Sequence, residues 1–281
     1  RAVSVEEALG DPEIDLTMIC SSTDTHADLI EKSARAGKAI FSEKPIDLSL
    51  ERVRACLEVV KESGAKLMVG FNRRFDPNFL SLKEQLASGA IGTPELVTIA
   101  SRDPGAPPPE YLKVSGGLFR DMTIHDFDMA RWLLEEEPAY VYASGAALVD
   151  PRIEEFNDLD TAVVTLTCES GKMAVITNSR RATYGYDQRI EVHGSGGMLS
   201  AGNVLEHTVV TATEEGQVAG KPMHFFLERY AAAYHNEFAS LITALNAGSE
   251  ITPSGDDGEK ALRLAEAAFE SLKSGGRVTL S

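Results

Sequence analysis

Asp15-Leu16-Thr17-Met18-Ile19-Cys20, Ala39-Ile40-Phe41 and Lys66-Leu67-Met68-Val69-Gly70 are three short apolar runs separated by two longer segments of helical character. Runs of this length, bounded by polar or glycine-containing stretches, read as buried strands. Between the first and second, Thr23 or Asp24 is placed to cap a helix that Gly37 would stop. Between the second and third, Ser49 is placed to cap a helix ending near Gly64. Ahead of all three, Ser4 and Glu7 form a capping-box pattern before a short helix. Strand, helix, strand, helix, strand with connections this long implies parallel strands and right-handed crossovers. The spacing predicts the second half of a doubly wound α/β nucleotide-binding domain. No G-x-G-x-x-G stands between a strand and a helix. The nearest decoy, Gly194-Ser195-Gly196-Gly197, follows a strand-like run but opens no helix, and reads as a hairpin turn. A nucleotide-binding half needs more than one βαβ unit of roughly 30 residues, so about fifty residues are expected ahead of Arg1.

Composition narrows the partners. The 281 residues allow one large domain or two ordinary ones. The net charge of −16 comes with no basic patch, which argues against a nucleic-acid binder. Glu135-Glu136-Glu137 and Glu154-Glu155 read as solvated surface. Cys20, Cys56 and Cys168 are odd in number and form no CxxC pair, so neither a disulfide framework nor a cysteine zinc site is expected. No apolar run approaches the roughly 20 residues of a membrane helix, and the first residues do not look like a signal peptide. A cytoplasmic protein with no membrane partner is the expectation.

In an open parallel sheet, ligands sit beyond the carboxyl ends of the strands. Three loops leave that edge: Ser21-Ser22-Thr23-Asp24-Thr25-His26, Glu43-Lys44-Pro45 and Asn72-Arg73-Arg74. The first is polar and opens a helix, so its hydroxyls and amides suit a ribose or pyrophosphate; His26 falls in the first turn and can help close the loop. In the second, Pro45 holds Lys44 extended. A lysine fixed there can donate to a hydroxyl and place positive charge where an alkoxide develops. Either isomer of the Lys44–Pro45 bond is open, with a cis base rate of about 5–6%. In the third, one arginine is expected to face solvent or an acidic neighbour and the other to reach a ligand.

A second cluster lies downstream in Gly116-Gly117-Leu118-Phe119-Arg120-Asp121-Met122-Thr123-Ile124-His125-Asp126-Phe127-Asp128. The apolar spacing from Met122 to Leu134 predicts a helix. Asp121 and His125 are four apart and share one of its faces. That geometry suits an acid–base pair, because an imidazole can take the proton of an alcohol while a carboxylate orients the ring. A cap at Asp121 with a core histidine is the structural alternative. A metal site through Asp121, His125, Asp126 and Asp128 is disfavoured, since the last two diverge from that face; no metal is expected.

These elements together resemble the glucose–fructose oxidoreductase / inositol dehydrogenase / rhizopine-catabolism (Gfo/Idh/MocA) family. The motifs that carry the resemblance are Glu43-Lys44-Pro45, Gly70-Phe71-Asn72-Arg73-Arg74-Phe75-Asp76, and Gly116-Gly117 followed by Asp121-x-x-x-His125-Asp126. Ser115 to Leu134, with Ser101-Arg102-Asp103-Pro104, looks most like the inositol 2-dehydrogenase branch. The resemblance implies an incomplete doubly wound (Rossmann) parallel sheet over residues 1–71. It implies an α+β domain with a large, mostly antiparallel sheet over 72–281, whose open face mediates a homo-oligomer, dimer or tetramer. It implies NAD as cofactor; NADP stays open, because the residue that distinguishes them follows an earlier strand. Ser21, Ser22, Thr23, Thr25, His26, Glu43, Lys44, Asn72 and Arg73 would then meet the cofactor. Lys44, Arg73, Asp103, Asp121 and His125 would meet a polyol, with Arg102 a weaker candidate. Lys44, Asp121 and His125 would be catalytic. A tyrosine following Ser179-Arg180-Arg181 is also implied; Tyr184 and Tyr186 share a strand face by the period of two, so both stay candidates. The implied reaction is oxidation of myo-inositol to 2-keto-myo-inositol with His125 as base. Another sugar or inositol isomer, or a silent sugar- or dinucleotide-sensing member, are the alternatives.

Local reading of the second half agrees with that architecture. Residues 95–101, 139–149, 161–168, 172–179, 188–193 and 208–213 read as strands, and 226–247 and 258–274 as closing helices. Pro104 to Pro109 is a proline-rich loop expected at the substrate mouth. Tyr230 and Tyr234 share a helical face and read as packing.

Overall fold

In the computed structural model, which describes residues 2–280, helices and strands alternate through the first seventy residues and a larger sheet follows. The elements in chain order are α1 (Val5–Gly10), β1 (Leu16–Ile19), α2 (His26–Arg35), β2 (Ala39–Ser42), α3 (Leu50–Ser63), β3 (Leu67–Val69), α4 (Pro77–Ala87), β4 (Pro94–Arg102), α5 (Pro109–Leu112), α6 (Leu118–Asp121), α7 (Thr123–Leu134), β5 (Pro138–Ala146), β6 (Thr161–Cys168), β7 (Met173–Ser179), β8 (Asp187–Gly194), β9 (Gly197–Ala201), β10 (Val210–Thr213), β11 (Gly216–Ala219), α8 (Phe226–Arg229), α9 (Ala231–Ala247), α10 (Gly255–Ser274) and β12 (Val278–Thr279). Contacts group them into two units. One comprises the described chain through Phe71 together with Asn236–Ala265; the other comprises Asn72–His235 and the chain from Glu266 onward. The division expected from sequence, 1–71 and 72–281, is contiguous, whereas the contact grouping returns parts of α9 and α10 to the first unit.

In the first unit, β1, β2 and β3 form a parallel sheet in that order. The register aligns Ile19 with Ser42 and Ser42 with Val69, so the three carboxyl ends are level and their loops leave one edge. The helix boundaries follow from capping. Ser4 and Glu7 make the reciprocal capping box, Ser49 accepts from Arg52 N, and Gly64 stops α3 at φ 68. The first helix after a strand departs from expectation. Thr23–Thr25 forms a 3-10 turn, so α2 starts at His26 with Thr25 as its cap residue, rather than at Thr23 or Asp24. On α2, residues Ala27, Ile30 and Ala34 recur at helical spacing and are buried, as are Val53, Cys56 and Val60 on α3. β1 is less buried than its apolar run suggests: Met18 is 52% exposed. Within the described sheet β1 is an edge strand paired to β2 alone, so it gains neighbours from one side only. The α10 segment approaches closely through glycines. A Cβ on Gly255 would stand 2.3 Å from Leu57 Cδ2, and one on Gly258 would stand 3.0 Å from Ile46 Cδ1.

In the second unit, seven strands make one mixed sheet in the order β12-β5-β6-β7-β4-β8-β9. All neighbours are antiparallel except β4 and β7. The period of two puts Val97 and Ile99, Val141, Val164 and Leu166, Ile176, and Ile190 and Val192 on the buried face. α7 packs against β4 and β7. Tyr140, Tyr142, Val163, Thr165 and Val175 alternate on the opposite face, half-buried or exposed. The Gly194–Gly197 hairpin joins β8 and β9 as the glycine run implies.

Four boundaries differ from the sequence reading, the first being the 139–149 strand, which ends at Ala146. The 208–213 strand is β10, which pairs only with β11 in a separate exposed hairpin. The 226–247 helix is interrupted at Tyr230, which is 2% exposed and leaves the helical conformation. The last helix begins at Gly255 rather than 258, because Ser254 N donates to Asp257 Oδ2 at 2.8 Å and caps it early.

Candidate active site

In the first unit, polar loops follow β1 and β2. Ser21 Oγ lies 2.5 Å from Thr25 Oγ1, and Thr25 Oγ1 donates to Ser22 O at 2.7 Å. These bonds shape the 3-10 turn and leave the cap of α2 without a side-chain bond to the helix amides. Exposed Ser21 and Ser22 beside the N-terminus of α2 are an arrangement that accepts a phosphate or ribose. Thr23 is half-buried in the same turn. His26 is buried and bridges two loops: Nδ1 lies 2.8 Å from Pro45 O and Nε2 3.0 Å from Ser21 O. It thereby ties the serine-rich turn to the Glu43-Lys44-Pro45 loop. The Lys44–Pro45 bond is cis, and Lys44 is half-buried. Glu43 tucks beneath the loop, where a Cβ on Gly70 would meet Glu43 Oε2 at 3.1 Å. Burial pushes the Glu43 carboxyl up, opposed by Lys44. The residues present fit a dinucleotide at this edge: small hydroxyls, a helix N-terminus and one lysine on level strand ends.

The second unit holds a dense polar cluster. Asn72, Arg73 and Arg74 form a buried 3-10 turn. Arg73 donates to Asp126 Oδ1 and, at 3.2 Å, to Ser101 Oγ. Arg74 grips Asp128 through two bonds of 2.8 and 2.6 Å. Both arginines therefore meet acidic partners on α7, where the sequence left one to reach a ligand. Asp126 also accepts from Asn178 Nδ2 at 2.7 Å. Among the described residues no group of His, Cys, Asp and Glu is arranged to hold a metal ion.

Asp121 ends α6, Met122 interrupts, and α7 starts at Thr123. The helix expected from Met122 is thus split beside the pair, although the chain still turns with α-like dihedrals at Met122. Gly116 and Gly117 make this possible, with φ of 79 and 85. Asp158 fills the space where a Gly117 side chain would stand and accepts from Leu118 N at 2.8 Å. Asp121 is held at both oxygens: Tyr111 Oη donates to Oδ1 at 2.6 Å, and Arg180 donates to Oδ2 at 3.0 Å. His125 is half-buried on the first turn of α7. Asp103 lies 3.7 Å from the Arg180 guanidinium. Burial pushes its carboxyl up to about 6 despite that cation.

Tyr184 and Tyr186 do not share a strand face. They lie in the turn before β8, where Gly185 has φ 130. Tyr184 is 48% exposed and donates to Asp187 Oδ2 at 2.6 Å, a carboxylate that Arg102 also grips at 2.6 Å. Tyr186 is buried, edge-on to the Tyr230 ring, and its electrostatic neighbours include Arg73, Asp103 and Asp126. Sequence reasoning missed Arg180, Tyr111, Ser101 and Asn178. Ser101 and Asn178 carried a readable signal, being polar residues at core-facing strand positions; Arg180 and Tyr111 carried none.

Comparison with known proteins identifies the family. Residues 2–71 match the NAD-binding Rossmann-fold model of the Gfo/Idh/MocA oxidoreductase family, and residues 79–200 match that family's C-terminal domain. The chain is 56% identical over 282 residues to an inositol 2-dehydrogenase of Rhizobium meliloti, covering all of this chain and 84% of that one. It is 49% identical to a myo-inositol 2-dehydrogenase of Thermotoga maritima, covering 95% of this chain and 80% of that one. The solved scyllo-inositol dehydrogenase of Lactobacillus casei with bound NAD(H) and scyllo-inositol superposes with a TM-score of 0.90 at 30% identity, over 99% of this chain and 83% of that one. The chain belongs to the Gfo/Idh/MocA family of NAD-dependent oxidoreductases.

Proposed function

We propose that this protein oxidises a ring secondary alcohol of myo-inositol to 2-keto-myo-inositol, with His125 taking the hydroxyl proton. The observation that carries the reading is Asp121, fixed at both carboxylate oxygens four residues ahead of the half-buried His125. A carboxylate so held keeps a neighbouring imidazole oriented and favours its charged form once it has accepted a proton. NAD supplies the hydride acceptor when bound, at the strand edge where Ser21, Ser22, Thr23, Thr25, His26 and Glu43 lie. Lys44 places a positive charge at that strand edge. Asp103 and Tyr186, both electrostatic neighbours of Arg73 and Asp126, are assigned to the polyol. Arg102 and Tyr184 are committed to Asp187 and hold the turn.

The names of the two curated relatives support inositol as substrate. The scyllo-inositol complex of the Lactobacillus casei relative supports an isomer as the second reading. Ring polyols that differ only in hydroxyl orientation are told apart by hydrogen-bond geometry. We also infer a homo-oligomer through the open face of the seven-stranded sheet, where Tyr142 is 44% and Val163 46% exposed.

The test is reduction of NAD, or NADP in parallel, by myo-inositol, scyllo-inositol and common hexoses, followed by the absorbance of the reduced nicotinamide. Turnover with myo-inositol and NAD is expected. No reduction with any polyol would leave a sensing member as the better description. His125→Ala is expected to lower kcat by roughly 100-fold or more while NAD affinity is retained; turnover near the parent's would make His125 a core residue.

A further inference from the structure

We propose that Arg180 is a positioning residue: one buried guanidinium, with Tyr111 as its counterpart, sets the orientation and charge of Asp121 and Asp103 for proton transfer at His125. The proposal rests on the reading of Asp121 and His125 as the chemical centre.

Arg180 follows β7, and its backbone N donates to Asp160 O at 2.8 Å, which fixes where the side chain starts. Its side chain is 2% exposed. It donates to Asp121 Oδ2 at 3.0 Å and lies 3.7 Å from Asp103 Oδ2. It also acts electrostatically on Asp158, the carboxylate that accepts from Leu118 N. Three carboxylates thus share one buried cation. Opposite charge at this range favours the ionised carboxylate, so Arg180 counters the burial that drives Asp103 and Asp158 toward their neutral forms.

Tyr111 closes the other side. Its hydroxyl donates to Asp121 Oδ1 at 2.6 Å. With one oxygen tied by a phenol and the other by a guanidinium, the carboxylate plane has two anchors and cannot turn without breaking one. Each oxygen keeps a second lone pair for an imidazole N–H or a substrate hydroxyl. Arg180 needs no substrate contact for this role; it acts through Asp121 and Asp103.

The experiment compares Arg180→Gln, Arg180→Lys and Tyr111→Phe in the full chain, measuring kcat, KM and kcat/KM against pH. Arg180→Gln is expected to lower kcat roughly 10- to 100-fold, the range that a lost charge-assisted hydrogen bond represents. It should also move the acid limb of kcat/KM upward by roughly one pH unit, because carboxyl groups that lose a nearby cation hold their protons to higher pH. Arg180→Lys keeps the charge but not the fork, so the acid limb stays in place while kcat falls. Tyr111→Phe should lower kcat by a few-fold with the limb unmoved, since it removes a neutral donor. Should Arg180→Gln fail to fold, the split between the lysine and phenylalanine variants decides. A parental kcat and parental acid limb in both would overturn the proposal, as would an Arg180→Gln enzyme with an unmoved limb. Asp121→Asn serves as control: if it keeps parental turnover, the underlying reading of Asp121 has failed. If Asp121→Asn is impaired while the Arg180 and Tyr111 variants are parental, only the positioning role has failed.

Discussion

Replacing Glu237 by glutamine removes a proton-binding group from a place where its charge has no compensation. Glu237 lies on α9 and is 2% exposed. Its Oε1 finds no hydrogen-bond partner among the described residues. Burial, reinforced by the charge on Glu43, pushes its carboxyl up to about 9 from an ordinary 4.5. The groups near this pair are Cys20, whose thiol is raised by burial and by both glutamates, and Lys44 and His26, which act on Glu43. The folded chain therefore holds a proton that the unfolded chain has released. A carboxyl raised in this way lowers stability as pH rises: the cost is absent below the unfolded value, grows through the window from 4.5 to about 9, and is full above it. Each pH unit inside the window costs about 1.4 kcal/mol, so at about pH 7.5 the term reaches about 4 kcal/mol.

Glutamine keeps the shape and removes the titration. Urea unfolding of the parent and Glu237→Gln at about pH 5, 6, 7 and 8 reads the term directly as the difference between the two curves. The variant should gain on the parent by about 1.4 kcal/mol per pH unit. Glu43→Gln, by removing the neighbouring charge, should narrow the window from above. A difference between parent and Glu237→Gln that stays constant across this range would refute the reasoning, since it would mean that Glu237 ionises alike in both states.

Two further substitutions test the second unit. Asp126→Ala leaves Arg73 buried without its carboxylate and should cost about 3–5 kcal/mol in chemical denaturation; a loss below about 1 kcal/mol would mean the pair is solvated. Gly117→Ala must adopt a φ of 85 and drive Asp158 from a position 2.8 Å from the new Cβ, and should cost about 1–3 kcal/mol in the same assay. A parental unfolding curve would show that the Gly116-Gly117 turn has room that its geometry denies.

The parts of the fold that were legible in sequence are those decided by neighbours in the chain. The capping box at Ser4 and Glu7, the cap at Ser49 and the stop at Gly64 depend on spacing alone. The strand alternation of β4 to β8 depends on the period of two. What escaped depends on tertiary placement. Tyr184 and Tyr186 have strand-like spacing, but Gly185 turns the chain between them, and one ring goes to Asp187 while the other goes into the core. Arg73 and Arg74 carry a charge that favours exposure, and only the aspartates of α7, some fifty positions later, explain their burial. Arg180 and Tyr111 converge on Asp121 from residues that are remote or irregular in the chain, so no periodicity announces them.

The same remote pairs fix something that apolar packing leaves loose. Buried ion pairs add little net stability over apolar residues of the same volume, yet α7 makes two to the Asn72–Phe75 turn, Asp126 to Arg73 and Asp128 to Arg74. At 3.6 residues per turn, positions two apart lie about 200° apart, so the helix is gripped on nearly opposite sides by adjacent residues of one turn. An apolar stripe tolerates rotation by a fraction of a turn; two directional pairs from Arg73 and Arg74 do not. His125 precedes Asp126 by one residue, about 100° around the axis, so its direction from the helix is set once Asp126 and Asp128 are engaged. The buried pairs thus act on orientation rather than on the free energy of folding. Apolar replacement of both would be expected to keep the unit folded while loosening the angle between His125 and Asp121, whose own carboxylate is anchored separately by Tyr111 and Arg180.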